Sequence, residues 1–84
     1  MNIYVGNLSY MVNEEDLLEI FKEYGGVSSC RIIMDKLSGR SKGFGFVEME
    51  NQDHAKKAIS ELNGAMYEDR DMIVNEAKPK KFIK

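Results

Sequence analysis

Residues 2–8, NIYVGNL, form a short β-rich run in which Ile3 and Val5 alternate with Asn2 and Tyr4, and Ser9 closes it. Asn13 then precedes Glu14, Glu15 and Asp16, a capping side chain followed by acids in a first helical turn, where unpaired N–H groups and the helix dipole favour them. Leu17, Leu18, Phe21 and Tyr24 recur at helical spacing until Gly25 and Gly26 stop the helix. Residues 27–34 are β-branched and apolar enough for a second strand, residues 35–41 are a polar loop around Ser38 and Gly39, and residues 42–50 form a third strand. Asn51 opens a second helix with Ala55, Ala58, Ile59 and Leu62 on one side, ended by Asn63 and Gly64. Residues 72–77 make a final strand, followed by Pro79.

The order β-α-β-β-α-β predicts an α+β, ferredoxin-like sandwich: a four-stranded antiparallel sheet with two helices on one face and the other face open. Strand side chains alternate between those faces. In the third strand Lys42, Phe44, Phe46 and Glu48 oppose Gly43, Gly45, Val47 and Met49. Burying the phenylalanines would carry Lys42 and Glu48 under the helices, where unpaired charge is costly. Burying Val47 and Met49 instead exposes the phenylalanines and lets the helices come close over the glycines. The other strands agree with the second choice. Ile3 and Val5, Cys30 and Ile32, and Met72 and Val74 make one face uniformly apolar. The opposite face mixes Tyr4, Phe44, Phe46 and Ile33 with Asn2, Arg31, Lys42, Asn75 and Ala77.

An exposed face carrying three aromatic rings among cations and amides has a chemical use. Every nucleobase has a π-face, stacking on Tyr or Phe contributes about 1–3 kcal/mol per base, and nearby Lys and Arg meet phosphates.

Composition narrows the picture. Eighty-four residues suffice for one domain, read as 1–78 with 79–84 as a short basic tail, and one proline with 43% hydrophobic residues is the balance of a folding chain. The single cysteine, Cys30, cannot form an internal disulfide, and no Cys/His cluster has metal-ligand spacing, so neither a metal nor a cofactor is expected. No apolar run approaches the roughly 20 residues of a membrane span, and the chain opens directly into a strand, which reads as a cytoplasmic, monomeric protein. The net charge of −2 at first argues against a polyanionic partner. The charge is segregated, however. Residues 14–24 hold five acids against Lys22, while residues 31–42 hold Arg31, Lys36, Arg40 and Lys42 against Asp35, and Lys78, Lys80, Lys81 and Lys84 follow at the end.

Ile3-Tyr4-Val5-Gly6-Asn7-Leu8 and Lys42-Gly43-Phe44-Gly45-Phe46-Val47-Glu48-Met49 resemble the paired RNP2 and RNP1 motifs of the RNA recognition motif family. The resemblance extends over essentially the whole chain and is greatest to the small single-domain members found in bacteria. It implies that Tyr4 stacks the 5′ base of a dinucleotide, Phe46 stacks the 3′ base, Phe44 lies against the sugars and Lys42 pairs with a phosphate. Asn75 and Ala77 match positions that often contact bases, with Lys78 following, and Arg31 and Ile33 extend the footprint over the second strand; Asn2 shares that face by alternation, and Arg40 and Lys36 are either phosphate contacts or solvated loop charges. Met49 stands where the family favours an aromatic; it belongs to the core-facing set, so the change concerns packing. The expected partner is single-stranded RNA, with single-stranded DNA as a weaker one, in post-transcriptional regulation or RNA chaperoning.

Two other classes compete. A protein-interaction module on this fold typically lacks the RNP aromatics, and Arg70-Asp71-Met72 matches its Arg-x-Phe element only in the arginine. An enzyme on the same architecture, such as an acylphosphatase, needs a nucleophile beside a base, and the only histidine, His54, is isolated. A nucleotide-cofactor site lacks the third glycine and following helix of its fingerprint.

Overall fold

The computed structural model of the chain describes residues 1–77. Its elements are β1 (Asn2–Gly6), α1 (Glu14–Lys22), β2 (Ser29–Met34), β3 (Ser41–Glu48), α2 (Gln52–Leu62), β4 (Met66–Tyr67), β5 (Arg70–Asp71) and β6 (Ile73–Glu76). Strands β2, β3, β1 and β6 lie in that order in one antiparallel sheet, and β4 and β5 form a separate two-stranded ribbon. The α+β sandwich is therefore present. Lys78 and the basic residues of 79–84, expected as a contact and a tail, fall outside the described residues.

Both helices start where the sequence places their caps. Asp16 N–H donates to Asn13 Oδ1 at 2.8 Å while Asn13 N–H donates to Asp16 Oδ2 at 3.2 Å, a reciprocal box that satisfies two otherwise orphan donors. His54 N–H donates to Asn51 Oδ1 at 3.0 Å at the start of α2. The helices bury Leu17, Phe21, Ala55, Ala58 and Leu62 against Ile3, Val5, Ile32, Val47, Met49, Met72 and Val74 of the sheet side. Burial of these side chains, about 1.5–3 kcal/mol for each large one, fixes which face the sheet shows to solvent. The first residue of α1 and the residue that caps the end of α2 each send a side chain to an outer strand: Glu14 Oε2 accepts from Ile32 N–H and Asn63 Oδ1 from Val74 N–H, both at 3.0 Å.

Three local features differ from the sequence expectation. The ribbon β4–β5 was not anticipated; its turn uses Glu68 and Asp69, both with positive φ (51° and 65°). It docks on the end of β1, where Asn7 Nδ2 donates to the Asp71 carbonyl at 2.8 Å and Arg70 donates to Asn7 Oδ1 at 3.1 Å. Strand β1 ends at Gly6, since Asn7 also has positive φ (55°) and turns the chain. The glycines of β3 do not serve the helices. A Cβ on Gly45 would overlap the Arg31 carbonyl of β2, and one on Gly43 would sit 3.2 Å from the Leu8 carbonyl and 3.3 Å from the Tyr10 ring. Gly43, with φ of +85°, lies where the β2–β3 register shifts between Ile32 and Met34, a bulge that an L side chain would strain.

Candidate nucleic-acid interface

The two central strands carry the aromatic residues, and register brings them together. Tyr4 pairs with Phe46 across β1–β3, Arg31 pairs with Phe46 across β2–β3, and Tyr4 pairs with Asn75 across β1–β6. One row therefore crosses the whole sheet as Arg31, Phe46, Tyr4, Asn75. Of the residues flanking these four, Ile3, Val5, Ile32, Gly45, Val47 and Val74 are buried beneath, Cys30 is half-buried and Glu76, at the end of the outer strand, is exposed. Because the pleat alternates, the covering of one face by helices is what forces the four members of this row to the other.

Phe44 completes a triangle of rings. The Tyr4–Phe46, Tyr4–Phe44 and Phe44–Phe46 centroids are 5.9, 6.0 and 6.2 Å apart, with interplanar angles of 63°, 34° and 89°. Those separations and tilts are the edge-to-face and offset arrangements that aromatic quadrupoles favour. Phe46 is 36% exposed, and Tyr4 and Phe44 are half-buried by one another and by the sheet. Tyr4 lies down over Gly6, where a Cβ would sit 2.7 Å from its Cζ. The glycine permits the ring to rest on the backbone and turn a face outward.

Polar groups surround the triangle. Asn2, Ser29, Arg31, Phe46, Glu48 and Ala77 line an open groove of about 330 Å³ at one end of the platform. At the other end Arg40, Lys42 and Phe44 border a second depression with Tyr10 and the loop residue Asp35. Among the described residues the single ion pair is Lys22–Glu19 on α1 at 3.7 Å, so Arg31, Arg40 and Lys42 have no carboxylate partner there. The acids of α1 stand on the helical side, away from the rings; Glu14 faces β2 through Ile32 N–H. Glu48 shares the groove with Arg31, and Asp35 borders the depression with Arg40 and Lys42. The Asp35 carboxyl is held below the usual carboxylate range, first by hydrogen bonds from the Leu37 and Ser38 amides, with Lys42 adding a smaller attraction.

Nearly all the residues picked from the sequence meet on this one surface. Tyr4, Phe44 and Phe46 form the triangle; Asn2, Arg31, Asn75 and Ala77 border it on the side of the groove; Lys42 and Arg40 border it on the other. Ile33 is half-buried on β2 opposite the bulge. Sequence reasoning missed Gly6 and Tyr10. The first signals itself only through the ring it lies under, and the second sits in a loop that strand alternation does not reach.

Residues 3–73 match the RNA recognition motif family. The chain is 50% identical over 80 residues to RbpA of Synechocystis sp., covering 95% of this chain and 79% of that one. Its fold superposes on the crystal structure of RNA Binding Protein PG1 with a TM-score of 0.92 at 51% identity, covering 98% and 99% of the two chains. It superposes on the Rna15 domain with bound RNA (GU) with a TM-score of 0.84 at 26% identity, covering 96% and 86%.

Proposed function

The chain belongs to the RNA recognition motif family, and from that premise we propose that it binds single-stranded RNA by stacking consecutive bases on Tyr4 and Phe46. It is an RNA-binding protein and not an enzyme, as its family and relatives are binders of RNA. Phe44 packs against the sugars between the two bases, Lys42 and Arg40 meet phosphates, and Asn75 and the Ala77 backbone offer hydrogen bonds to base edges. Arg31, Asn2 and Ile33 extend the contact over β2 and the groove. Lys78, outside the described residues, is assigned a further contact with the RNA. Regulation of transcripts after synthesis, or RNA chaperoning, is the use such a surface fits.

The observation that carries this reading is the row Arg31, Phe46, Tyr4, Asn75 across all four strands. It interleaves a cation, two π-faces and an amide along one line. Two stacked bases contribute on the order of 2–6 kcal/mol, whereas a micromolar complex needs about 8 kcal/mol. The cations and amides supply the difference. Affinity is therefore expected in the micromolar range for a core of two to four nucleotides, falling with salt at a slope near −0.7 per phosphate contacted.

Fluorescence-anisotropy titration of a pool of short single-stranded RNAs tests this against a Tyr4→Ala/Phe46→Ala double variant, both proteins shown folded by circular dichroism. Salt-sensitive binding that the double variant loses is the expected result. Wild-type silence at high micromolar protein, or equally tight binding to duplex DNA, whose paired bases cannot reach the rings, would overturn it.

A further inference from the structure

The stacking reading uses Tyr4, Phe44 and Phe46 and leaves the ring of Tyr10 unused. Tyr10, in the loop between β1 and α1, is 66% exposed. Its position is fixed from below: the ring lies over Gly43, whose missing side chain leaves Tyr10 Cε1 3.3 Å from where a Cβ would stand. The positive φ of Gly43 belongs to the bulge, so the same irregularity that interrupts the β2–β3 ladder makes the seat for the ring. Phe44, the next residue, belongs to the central triangle. Tyr10 thus adjoins the stacking platform at its far end.

The chemistry around it is that of a nucleotide site. Tyr10, Phe44, Arg40, Lys42 and Ser38 border one open depression of about 430 Å³, within the range of small-ligand sites. Asp35 is the acid there, and its Oδ1 already accepts from Leu37 and Ser38 N–H at 2.8 and 3.3 Å. Its backbone is tied as well, with Asp35 N–H donating to the Arg40 carbonyl at 2.7 Å and Gly39 N–H to the Asp35 carbonyl at 2.8 Å. These bonds hold the β2–β3 loop in one shape and present Arg40 and Lys42 on the side of the Tyr10 ring.

We propose that this depression is a third nucleotide site, in which Tyr10 stacks a base adjoining the pair on Tyr4 and Phe46 while Arg40 holds its phosphate. The site rests on the reading of the sheet face as the RNA surface and extends it by one specific residue. A dinucleotide fills the two sheet positions; a longer strand reaches Tyr10 as well.

Two variants separate a stacking role from mere cover for Gly43. Tyr10→Phe keeps the π-face, and Tyr10→Leu keeps an apolar cover without it. Each is titrated by NMR against a dinucleotide and a hexanucleotide of single-stranded RNA, beside the wild type and the Tyr4→Ala/Phe46→Ala variant. Tyr10→Leu is expected to bind the hexanucleotide about 5- to 100-fold more weakly and the dinucleotide as the wild type does, with Tyr10→Phe unchanged on both. Tyr10→Leu matching the wild type on the hexanucleotide, or losing equally on both ligands, overturns the third site alone, provided the double variant has lost binding. A wild type that binds neither RNA, or a double variant that binds like the wild type, overturns the sheet-face reading and the third site with it.

Discussion

Tyr4 and Phe46 stand directly opposite each other on the two central strands, with their ring centroids 5.9 Å apart and tilted by 63°. In the proposed binding mode each ring is both a platform for a base and a wall for its neighbour. Truncating one therefore also frees the other, and the two losses should not add. Each single alanine variant is expected to weaken single-stranded RNA binding by about 1–3 kcal/mol. A double-mutant cycle by isothermal calorimetry should show a coupling of about 0.5 kcal/mol or more. Strict additivity would mean that the bases use the rings independently.

Gly6 carries no interaction of its own, yet Tyr4 rests on it. A methyl there pushes the ring off the backbone, whereas a Gly→Ala change in extended backbone tends to stabilise by about 0.4–1 kcal/mol through the unfolded chain. Gly6→Ala should thus lose RNA affinity by about fivefold or more, equivalent to roughly 1 kcal/mol of stacking, without a fall in thermal stability. Affinity and melting temperature measured on the same preparation check it; unchanged affinity would show that the ring has room to move.

How far these residues are visible in the sequence depends on what fixes them. The buried and exposed sets of β1, β3 and β6 follow from period-two alternation, because a charge under the helices is too costly for either assignment to be neutral. Lys42 and Glu48 thereby identify Phe44 and Phe46 as surface residues before any coordinate is known. The ribbon at Met66–Tyr67 and Arg70–Asp71 escapes the same reading. Its two-residue turn has positive φ at Glu68 and Asp69, where a glycine or asparagine would have announced it, and Asn7 and Arg70 fasten it across more than 60 residues of sequence. Gly43 and Gly45 were expected to admit helices, but their free space is taken by Leu8, Tyr10 and β2. Alternation says which face a glycine belongs to and nothing about which neighbour crowds it.

Gly45→Ala should behave differently from Gly6→Ala. Here the added methyl meets the Arg31 carbonyl and the Ile32 Cα, backbone atoms of a paired strand. The strand must move or the ladder open, at a cost of about 1–3 kcal/mol. Urea unfolding is expected to show that loss; a midpoint like the wild type's would mean that β2 is not held as closely as its register indicates.

Cys30 is half-buried beside α1, and burial first, with the Glu14 charge second, pushes its thiol up to about 11. The native chain holds a proton that the unfolded chain releases near pH 9, so this group's contribution to stability is complete below that pH and is lost as pH rises towards 11. The thiolate is the reactive form. Alkylation by iodoacetamide at pH 8.5 should be about one to two orders of magnitude slower in the native protein than in urea. Equal rates would place the thiol in water.

The side chains of Glu14 and Asn63 sit on amide hydrogens of β2 and β6, the first and last strands of the sheet. An unpaired strand margin is the template on which chains add to one another and grow into fibres, and a broad flat aromatic face invites such layers to laminate. Here each margin has one of its amide hydrogens taken by a side chain, which works against growth within the plane and leaves the aromatic face itself uncovered.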